Sequence, residues 1–245
     1  GCPFDCVFCS TPFGKKISLH SAEYIADYIE YLKQDFGVNE IAFNDDTLTI
    51  NENRIVDLCQ LINKKNIDIS WYANARVDIR KKEIFKLMKS AGCWICAIGA
   101  ESGNQNLINK LEKRITLEQI RETSKHILDA GLALKVFFML GNINETVSTI
   151  DETINFAKSL RAHFPVFSLL TPYPGTKLWS CAQKYGTFEY SNYRQLHISN
   201  SDPVFVPTGL NKQILLSKQN EAFRKCYFNI GMIKRHIYNI DSFND

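Results

Sequence analysis

Hydrophobic residues along the chain alternate between helical spacing and short continuous apolar runs. From Ser21 to Phe36 they recur every three or four residues, which predicts a helix ending at Gly37. Its expected buried face is Ala22, Ile25, Ile29, Leu32 and Phe36. The same spacing predicts helices from Asn51 to Ile62, Ile84 to Ala91, Thr116 to Ala130 and Val147 to Leu160. The apolar runs predict strands at Glu40–Asn44, Ile67–Ala73, Trp94–Ala100, Ala133–Leu140 and Val166–Leu170.

This alternation of strands and helices predicts an α/β fold with a parallel sheet. Successive strands begin roughly 25 to 40 residues apart, the length of one strand–helix unit. Right-handed crossovers then lead either to an open doubly wound sheet or to a barrel, and periodicity does not separate the two. No GxGxxG segment follows a strand, which argues against a dinucleotide site.

Composition narrows the class of protein further. Hydrophobic residues make up 45% and charged residues 22% of the 245 residues, as in globular domains. A net charge of +3 is too small for nucleic acid to be the main partner. No apolar run approaches the roughly 18 residues of a membrane span, and no signal peptide is visible. We therefore expect a cytoplasmic protein without a membrane span. Because residue 1 is Gly rather than Met, we expect further residues upstream.

Polar residues follow each predicted strand. Because the carboxyl ends of parallel strands meet at one edge, these residues should gather there and suit a polar, zwitterionic ligand. The segments concerned are Asn44-Asp45-Asp46-Thr47, Asn74-Ala75-Arg76, Gly99-Ala100-Glu101-Ser102, Gly141-Asn142 and Thr171-Pro172-Tyr173-Pro174-Gly175-Thr176. Each taken alone could instead be an ordinary turn or cap.

Three of the eight cysteines lie within nine residues, with the spacing CxxxCxxC: Cys2, Cys6 and Cys9. Structural zinc needs four ligands, and a four-iron cluster normally takes four cysteines. Three cysteines would leave one iron open to a small molecule, and the neighbouring Phe8 would shield the sulfurs from water. The alternative is a set of reduced surface thiols. We expect the other five cysteines to be packing residues: Cys59, Cys93, Cys96, Cys181 and Cys226. Cys93 and Cys96 form a CxxC pair, but on a strand their side chains would point to opposite faces.

The segment GCPFDCVFC resembles the cluster loop of the radical S-adenosylmethionine (SAM) enzymes. In that superfamily three cysteines hold a [4Fe–4S] cluster, and the amino and carboxylate groups of SAM chelate the fourth iron. The resemblance extends to about residue 186 and implies a partial (β/α)6 TIM-like barrel with the cluster loop directly after the first strand. That strand is then expected upstream of Gly1. Residues 1–186 would form the barrel core, and residues 187–245 a loop and a helical C-terminal extension.

The resemblance also implies a role for individual residues. Cys2, Cys6 and Cys9 would bind iron, and Phe8 and Arg76 belong to the implied cofactor site. The segment Asn44, Asp45, Asp46 and Thr47 would meet the SAM amino group, Glu101 and Ser102 its ribose or amino group, and Lys113 its carboxylate. Gly141, Thr171 and Pro172 would lie near adenine. One departure stands out: the loop after Leu140 usually reads GxPGET in such proteins and reads GNINET here.

Several segments are similar to the subgroup that carries an N-terminal cobalamin-binding domain. They are Asp45-Asp46-Thr47, Arg76, the run from Gly99 to Gly103, Lys113 and the run from Pro172 to Thr176. The subgroup includes cobalamin-dependent methyltransferases and the anaerobic magnesium-protoporphyrin cyclase. The resemblance therefore implies reductive cleavage of SAM to a 5′-deoxyadenosyl radical, which abstracts hydrogen from an unknown small-molecule substrate before methyl transfer or oxidative cyclisation. Cobalamin would bind to a domain outside this chain, and the electron would come from a flavodoxin- or ferredoxin-type donor.

Two alternatives remain at this point. One is a cobalamin-independent radical SAM enzyme, such as a methylthiotransferase relative. The other is a non-catalytic iron–sulfur electron-transfer module, which would need a fourth ligand to the cluster and no ring of polar strand ends. Cleavage of SAM under dithionite would distinguish either enzyme from the electron-transfer module. The sequence upstream of Gly1 would distinguish the two enzymes from each other.

Overall fold

The computed structural model describes residues 1–79, 81–196 and 202–228. Within them, the α-helices are α1 (Ala22–Phe36), α2 (Glu52–Lys64), α3 (Ile84–Ser90), α4 (Gln105–Lys110), α5 (Leu117–Asp129), α6 (Val147–Ser159), α7 (Lys177–Cys181) and α8 (Lys212–Tyr227). The strands are β1 (Glu40–Ala42), β2 (Ser70–Ala75), β3 (Cys93–Glu101), β4 (Ala133–Leu140), β5 (Phe164–Leu169), β6 (Gly186–Phe188) and β7 (Phe205–Pro207). None of these helices has the length and apolar character needed to cross a membrane.

Local capping explains why the helices begin and end where they do. The side chain of Ser21 accepts a hydrogen bond from the Tyr24 backbone N–H at the start of α1, and Asn51 accepts one from Arg54 at the start of α2. Gly37 ends α1 in a left-handed conformation with φ 67° and donates its N–H to the Lys33 carbonyl.

The first five strands form one sheet in the order β1-β2-β3-β4-β5, so each strand lies beside the next strand in the chain. The pairs β1–β2 and β2–β3 are parallel, with Ile41 opposite Trp71 and Asn74 opposite Ala97. A doubly wound sheet reverses its strand order part-way, whereas a (β/α) barrel does not. The observed order decides between the two arrangements that the periodicity left open, and the predicted α/β partial barrel is confirmed.

The two faces of this sheet differ in burial. On β4 the side chains of Leu134, Val136 and Leu140 are fully buried, while the intervening Lys135 is half-buried. On β2 the buried Trp71 and Ala73 alternate with half-buried Tyr72 and Asn74 in the same way. On these two strands the period of two distinguishes a buried face from an opposite face that is more open, whereas on β3 the residues from Ile95 to Ile98 are all buried.

The chain divides into two compact units. The first comprises Gly1–Pro3, Pro12–Gly99 and Glu118–Lys135, and the second comprises Phe4–Thr11, Ala100–Leu117 and Val136–Asp245. Fully buried side chains of the first unit include Ile55, Trp71 and Phe85. The second unit contains a buried cluster of Ile143, Leu170, Leu178, Ala182 and Phe205. The expected division of the chain after residue 186 stays a prediction.

Two details differ from the sequence-based expectations. Phe36 is 66% exposed at the last residue of α1, and the buried residues of that helix are Ala22, Ala26 and Ile29. Part of the region from residue 187 that we expected to be loop is sheet, because β6 pairs antiparallel with β7. The helical extension is present as α8, and its predicted continuation beyond residue 228 lies outside the described residues.

Candidate functional site

The loop that carries Cys6 and Cys9 is fixed in the second unit through Val7. The Val7 N–H donates to the Leu111 carbonyl at 3.1 Å, and the Val7 carbonyl accepts from the Leu178 N–H at 2.9 Å. The Cys9 N–H donates to the Cys6 carbonyl at 3.2 Å, so the two cysteines lie at the ends of one tight turn. Cys6 is half-buried and Cys9 exposed. The loop thus holds both thiols on a backbone that is anchored on either side.

Phe8 lies in the same turn and connects the cysteine loop to the interior of the second unit. Its ring packs against the buried cluster that contains Ile143 and Leu170. The Lys113 ammonium lies 6.0 Å from the centre of the same ring. This contact is at the outer limit of a cation–π interaction and brings a charged residue next to the loop.

Cys2 lies in the first unit and is half-buried. Its N–H donates to the Gly14 carbonyl at 3.2 Å. A Cβ atom on Gly1 would lie 2.3 Å from the Lys16 carbonyl oxygen, so the close approach of the two backbones requires glycine immediately before Cys2.

The other cysteines behave as the sequence predicted. Cys59, Cys93, Cys96 and Cys226 are buried, and burial raises the pKa of the Cys59 and Cys96 thiols to about 12. Burial also raises the pKa of Cys93. Cys181 is half-buried, and its thiol donates to the Lys177 carbonyl at 3.3 Å. Four of these five thiols are therefore poor metal ligands, because a ligand must be reachable and deprotonated.

The donor set at the start of the chain fits an iron–sulfur cluster with an open iron. None of the eight cysteines is in a disulfide, and Cys2, Cys6 and Cys9 are all at least partly accessible. In the described part of the chain, no three His, Cys, Asp or Glu side chains already stand in metal-binding geometry. The fit therefore rests on thiolate chemistry and on the anchored turn.

Glu101 and Lys113 form a buried ion pair in the second unit. Glu101 is the last residue of β3 and has φ 64°, and its carboxylate accepts a hydrogen bond from the Lys113 ammonium. The side chains are only 8% and 12% exposed, respectively. The left-handed backbone of a non-glycine residue costs energy and is typical of functional sites. Glu101, predicted to meet the ribose or amino group of SAM, and Lys113, predicted to meet its carboxylate, are thus in direct contact.

Ser102 has a packing role next to this pair. It is fully buried, its hydroxyl lies 3.1 Å from the Thr153 hydroxyl, and it accepts the Asn104 N–H at 3.1 Å. A Cβ atom on the following Gly103 would lie 2.6 Å from the Thr153 Cα atom. Ser102 and Gly103 therefore fit the end of β3 tightly against α6.

The acidic segment after β1 is held by an arginine that the sequence analysis missed. The Arg54 Nη2 atom lies 3.6 Å from Asp45 Oδ1, and Nη1 donates to the His20 carbonyl at 3.2 Å. The Arg54 side chain is 8% exposed, and its Nε and Nη2 atoms have no hydrogen-bond acceptor in the described structure. Asn44 and Asp46 are exposed, and the Thr47 hydroxyl donates to the Asp46 carbonyl. The signal in the sequence was a charged residue on the apolar side of α2.

Arg76, at the end of β2, is bound to a carboxylate from its own loop. Its guanidinium donates to both carboxylate oxygens of Asp78, at 2.9 Å and 3.0 Å. Its backbone N–H donates to the Thr49 hydroxyl at 3.3 Å. This bidentate geometry fixes the strand end of the first unit.

The loop after β4 is organised by Glu145, which was not among the predicted site residues. One carboxylate oxygen of Glu145 accepts the N–H groups of Gly141 and Asn142, the latter at 2.8 Å. Glu145 is 1% exposed, and burial raises its pKa to about 7. Asn144 takes φ 61°, which explains how Asn replaces the Gly of the usual GxPGET pattern.

The segment after β5 lies beside this loop in the second unit. The Leu170 N–H donates to the Leu140 carbonyl at 2.8 Å, which joins the two strand ends. The Thr171 hydroxyl donates to the Leu169 carbonyl at 3.4 Å, and Pro172 is buried. The predicted residues Gly141, Thr171 and Pro172 are therefore held by neighbouring strand ends.

Comparison with known proteins gives one family. The family model described as the radical SAM superfamily matches residues 1–157. An uncharacterised methyltransferase of Pyrococcus horikoshii is 32% identical over 240 residues, which cover 97% of this chain and 52% of that protein. The anaerobic magnesium-protoporphyrin IX monomethyl ester cyclase of Rubrivivax gelatinosus is 25% identical, with 96% of this chain and 42% of the cyclase covered. The chain thus spans about half the length of the curated relatives it matches.

A solved structure supports the fold. The radical S-adenosylmethionine methyltransferase TsrM from Kitasatospora setae, with cobalamin and a [4Fe-4S] cluster bound, matches with a TM-score of 0.68 and 19% identity. The match covers 75% of this chain and 35% of that chain. At 19% identity, this similarity shows only that the two proteins share an arrangement of strands and helices.

Proposed function

The chain belongs to the radical SAM superfamily, and on that premise we propose that it is the barrel of an enzyme that cleaves SAM reductively and transfers a methyl group to, or oxidatively cyclises, a small-molecule substrate. Its relatives include both a methyltransferase and a cyclase. When held by Cys2, Cys6 and Cys9, a [4Fe–4S] cluster would supply the electron for reductive cleavage of SAM and so the means of removing hydrogen from the substrate, and cobalamin would supply methyl-transfer chemistry.

We assign the cluster to Cys2, Cys6 and Cys9. Three thiolates bind three of the four irons and leave the fourth for the amino acid end of SAM. An open coordination site of this kind distinguishes a catalytic cluster from an electron carrier, in which the protein binds every iron. The two hydrogen bonds at Val7 hold the Cys6–Cys9 turn in place. Phe8 covers the turn from the side of the buried cluster. Anchored ligands of this kind limit the movement of the metal centre.

The amino acid end of SAM is a zwitterion, and Glu101 and Lys113 complement it. In this proposal, the Lys113 ammonium turns to the SAM carboxylate and the Glu101 carboxylate to the SAM amino group. The Asn44–Thr47 segment, in which Asp46 is exposed, would also meet the amino group, and Arg76 would stabilise the next strand end. Because the pair is buried, its charges act in a low dielectric and discriminate strongly between ligands.

The adenine end would meet Gly141, Thr171 and Pro172. The Glu145 carboxylate accepts hydrogen bonds from the Gly141 and Asn142 N–H groups. We therefore assign it the role of holding the loop in place and not of contacting the ligand. We further propose that cobalamin binds to a part of the protein beyond these 245 residues. A low-potential flavodoxin or ferredoxin is the expected electron donor, and the cytoplasm the expected compartment, since thiols at such a centre must stay reduced.

The anchored turn of Cys6 and Cys9 is the observation that carries the proposal, and it gives a direct test. The triple variant Cys2→Ala/Cys6→Ala/Cys9→Ala and the control Cys181→Ala are reconstituted anaerobically with iron and sulfide. We expect the wild type and the control to become brown and to release 5′-deoxyadenosine from SAM under dithionite. The triple variant should do neither. Full iron content in the triple variant, or no SAM cleavage by iron-loaded wild type, contradicts the proposal.

A further inference from the structure

Two adjacent carboxylates follow β1 and differ in what surrounds them. The Asp45 carboxylate lies 3.6 Å from the guanidinium of Arg54, a residue in the first turn of α2. The Asp46 carboxylate lies 3.9 Å from the nitrogen of Gly1, the residue before Cys2. The two acidic side chains are similarly accessible, at 37% and 40%. They are therefore distinguished by their neighbours, and all five residues belong to the first unit.

Arg54 is buried and incompletely paired. Its side chain is 8% exposed, yet its Nε and Nη2 atoms have no hydrogen-bond acceptor within the described residues. Nε and Nη2 form the side edge of a guanidinium, which can bind both oxygens of one carboxylate. Asp45 is the carboxylate beside Nη2, but 3.6 Å is too long for a hydrogen bond. Because a buried cation with unpaired donors strongly favours a nearby anion, Asp45 is held towards α2.

The position of Arg54 is itself fixed by its surroundings. Its backbone N–H donates to the Asn51 side chain at 3.1 Å, and its Nη1 atom donates to the His20 carbonyl at 3.2 Å. The turn before α2 is also buried, since Leu48 is fully buried and Thr49 is 5% exposed. The guanidinium is thus a fixed point, and the acidic segment is the part that adjusts to it.

Pairing with Arg54 leaves one uncompensated charge in the acidic segment. The guanidinium neutralises Asp45, whereas the described structure places no side-chain cation within ion-pair distance of Asp46. Because Asp46 lies on the side of Gly1 and Cys2, its charge is next to the proposed cluster ligands. A single carboxylate suits an ammonium group, whereas two free carboxylates would favour a divalent cation.

We propose that Arg54 is a positioning residue for SAM binding, which holds Asp45 so that Asp46 alone meets the SAM amino group. This inference rests on the proposed radical SAM function. Arg54 does not touch the ligand in this arrangement, and its positive charge does not attract the amino group. It acts by fixing the segment, because a carboxylate that is already in place binds an ammonium group more tightly than one that must first be ordered.

The dependence of binding on the ligand amino group tests this. The probes are S-adenosylhomocysteine and its analogue without the amino group, each titrated into cluster-loaded protein. The ratio of their dissociation constants is the amino-group preference. Asp46→Asn should lower this preference about 10-fold relative to the wild type, as expected for loss of a charge-assisted hydrogen bond. Arg54→Met should lower it about 5-fold, and Arg54→Lys, which keeps the charge, should lower it less.

The direction of the Arg54→Met effect separates positioning from simple charge. If Arg54 acted only through its field, removing this cation would raise the amino-group preference. Positioning predicts the opposite, and the double variant Arg54→Met/Asp45→Asn should match Arg54→Met because the two residues act as a unit. A raised or unchanged preference in Arg54→Met overturns the inference. Equal losses of affinity for both probes also overturn it, since they would show general damage to the fold.

A second measurement does not need the cluster. In metal-free protein, Arg54→Met should lower the urea midpoint about half as much, or less, when Asp45 is already Asn. The shift should be unchanged when Asp46 is Asn. Equal shifts in all three backgrounds would show that Arg54 does not hold Asp45. Lys64→Met is the matched control for both measurements, since Lys64 is an exposed lysine at the last residue of α2 and should leave the preference unchanged.

The cluster-loaded wild type keeps this inference apart from the proposed function. If it releases 5′-deoxyadenosine from SAM under dithionite but neither Arg54→Met nor Asp46→Asn changes the amino-group preference, the inference fails and the function stands. If the iron-loaded wild type does not cleave SAM, the function itself fails. Failure of Arg54→Met to take up iron as the wild type does would also overturn the inference, because Arg54 would then support the cluster loop.

Discussion

Glu101 and Lys113 are twelve residues apart in the chain and form an ion pair that is almost wholly removed from solvent. The strained backbone of Glu101 at the end of β3 turns its carboxylate towards the segment after α4, where Lys113 lies. Through the Phe8 ring, Lys113 also reaches the cysteine loop. One contact therefore connects a strand end to the cluster loop within the second unit.

Breaking this pair from one side should be costly. Lys113→Met leaves the Glu101 carboxylate buried without its cation, and we expect the free energy of unfolding to fall by about 3–5 kcal/mol. The double variant Glu101→Gln/Lys113→Met removes both charges and should recover most of that loss. Urea unfolding of the two single variants and the double variant gives the coupling energy directly.

The exposed pair of Lys177 and Glu112 provides the comparison for that cycle. Their side chains are 60% and 44% exposed, so water screens their attraction and Lys177→Met should cost much less stability than Lys113→Met. Equal losses for Lys113→Met and Lys177→Met would show that the pair at Glu101 is no more strongly coupled than a surface pair. The SAM affinity of Lys113→Met should also fall, while that of Lys177→Met should not.

Glu145 should make stability depend on pH near neutrality. Burial raises its folded pKa from 4.5 to about 7, so the folded protein holds this proton more tightly than the unfolded chain. The resulting stabilisation is complete below the unfolded pKa and is lost as pH rises through about 7. A shift of this size corresponds to about 3 kcal/mol. Urea unfolding from pH 5 to pH 8 should therefore show a decrease that Glu145→Gln lacks.

Two variants of Glu145 separate titration from loop support. In Glu145→Gln, the side-chain oxygen still accepts the N–H groups of Gly141 and Asn142, so the loop is retained. In Glu145→Ala, both N–H groups are left buried and unsatisfied, at about 1–3 kcal/mol each. We expect Glu145→Ala to be the less stable variant at every pH. A decrease with pH that persists unchanged in Glu145→Gln would assign it to another group.

The sequence predicted those features that depend on local pattern. The five parallel strands and the helices between them follow from hydrophobic periodicity and caps such as Ser21 and Asn51, and were found close to their predicted bounds. Periodicity failed where tertiary context decides. Phe36 continues the apolar spacing of α1 but is exposed at its last residue, and β6 and β7 are three residues each, too short for a strand pattern.

Of the candidate site, the sequence shows residue types but not contacts. Glu101 and Lys113 were both predicted site residues, but nothing in their spacing shows that they form an ion pair. Arg54 and Glu145 were both missed. The sequence signal for Arg54 was its place on the apolar side of α2, but its contact with Asp45 and the hydrogen bonds that Glu145 accepts are visible only in the structure.

Asn144 provides a test of how this chain tolerates its altered loop. Its φ of 61° is reached easily by Gly and Asn and poorly by other residues, and its side chain is exposed. Asn144→Gly should leave the thermal midpoint nearly unchanged, whereas Asn144→Ala should cost about 1–2 kcal/mol. Because both changes remove the same exposed amide, their difference isolates the backbone. Equal stability of the two variants would show that the left-handed conformation is not needed.

Reactivity of the cysteines should divide them into the two groups seen in the structure. In metal-free native protein, iodoacetamide should modify the exposed Cys9 first and the half-buried Cys2, Cys6 and Cys181 more slowly. The four buried thiols should react only after unfolding, because burial raises the pKa of Cys59 and Cys96 to about 12 and of Cys226 to about 11. Loading with iron and sulfide should then protect Cys2, Cys6 and Cys9 but not Cys181, as read by peptide mass spectrometry. Unchanged modification of Cys9 after loading would exclude it as a ligand, since a thiolate bound to iron cannot attack the reagent.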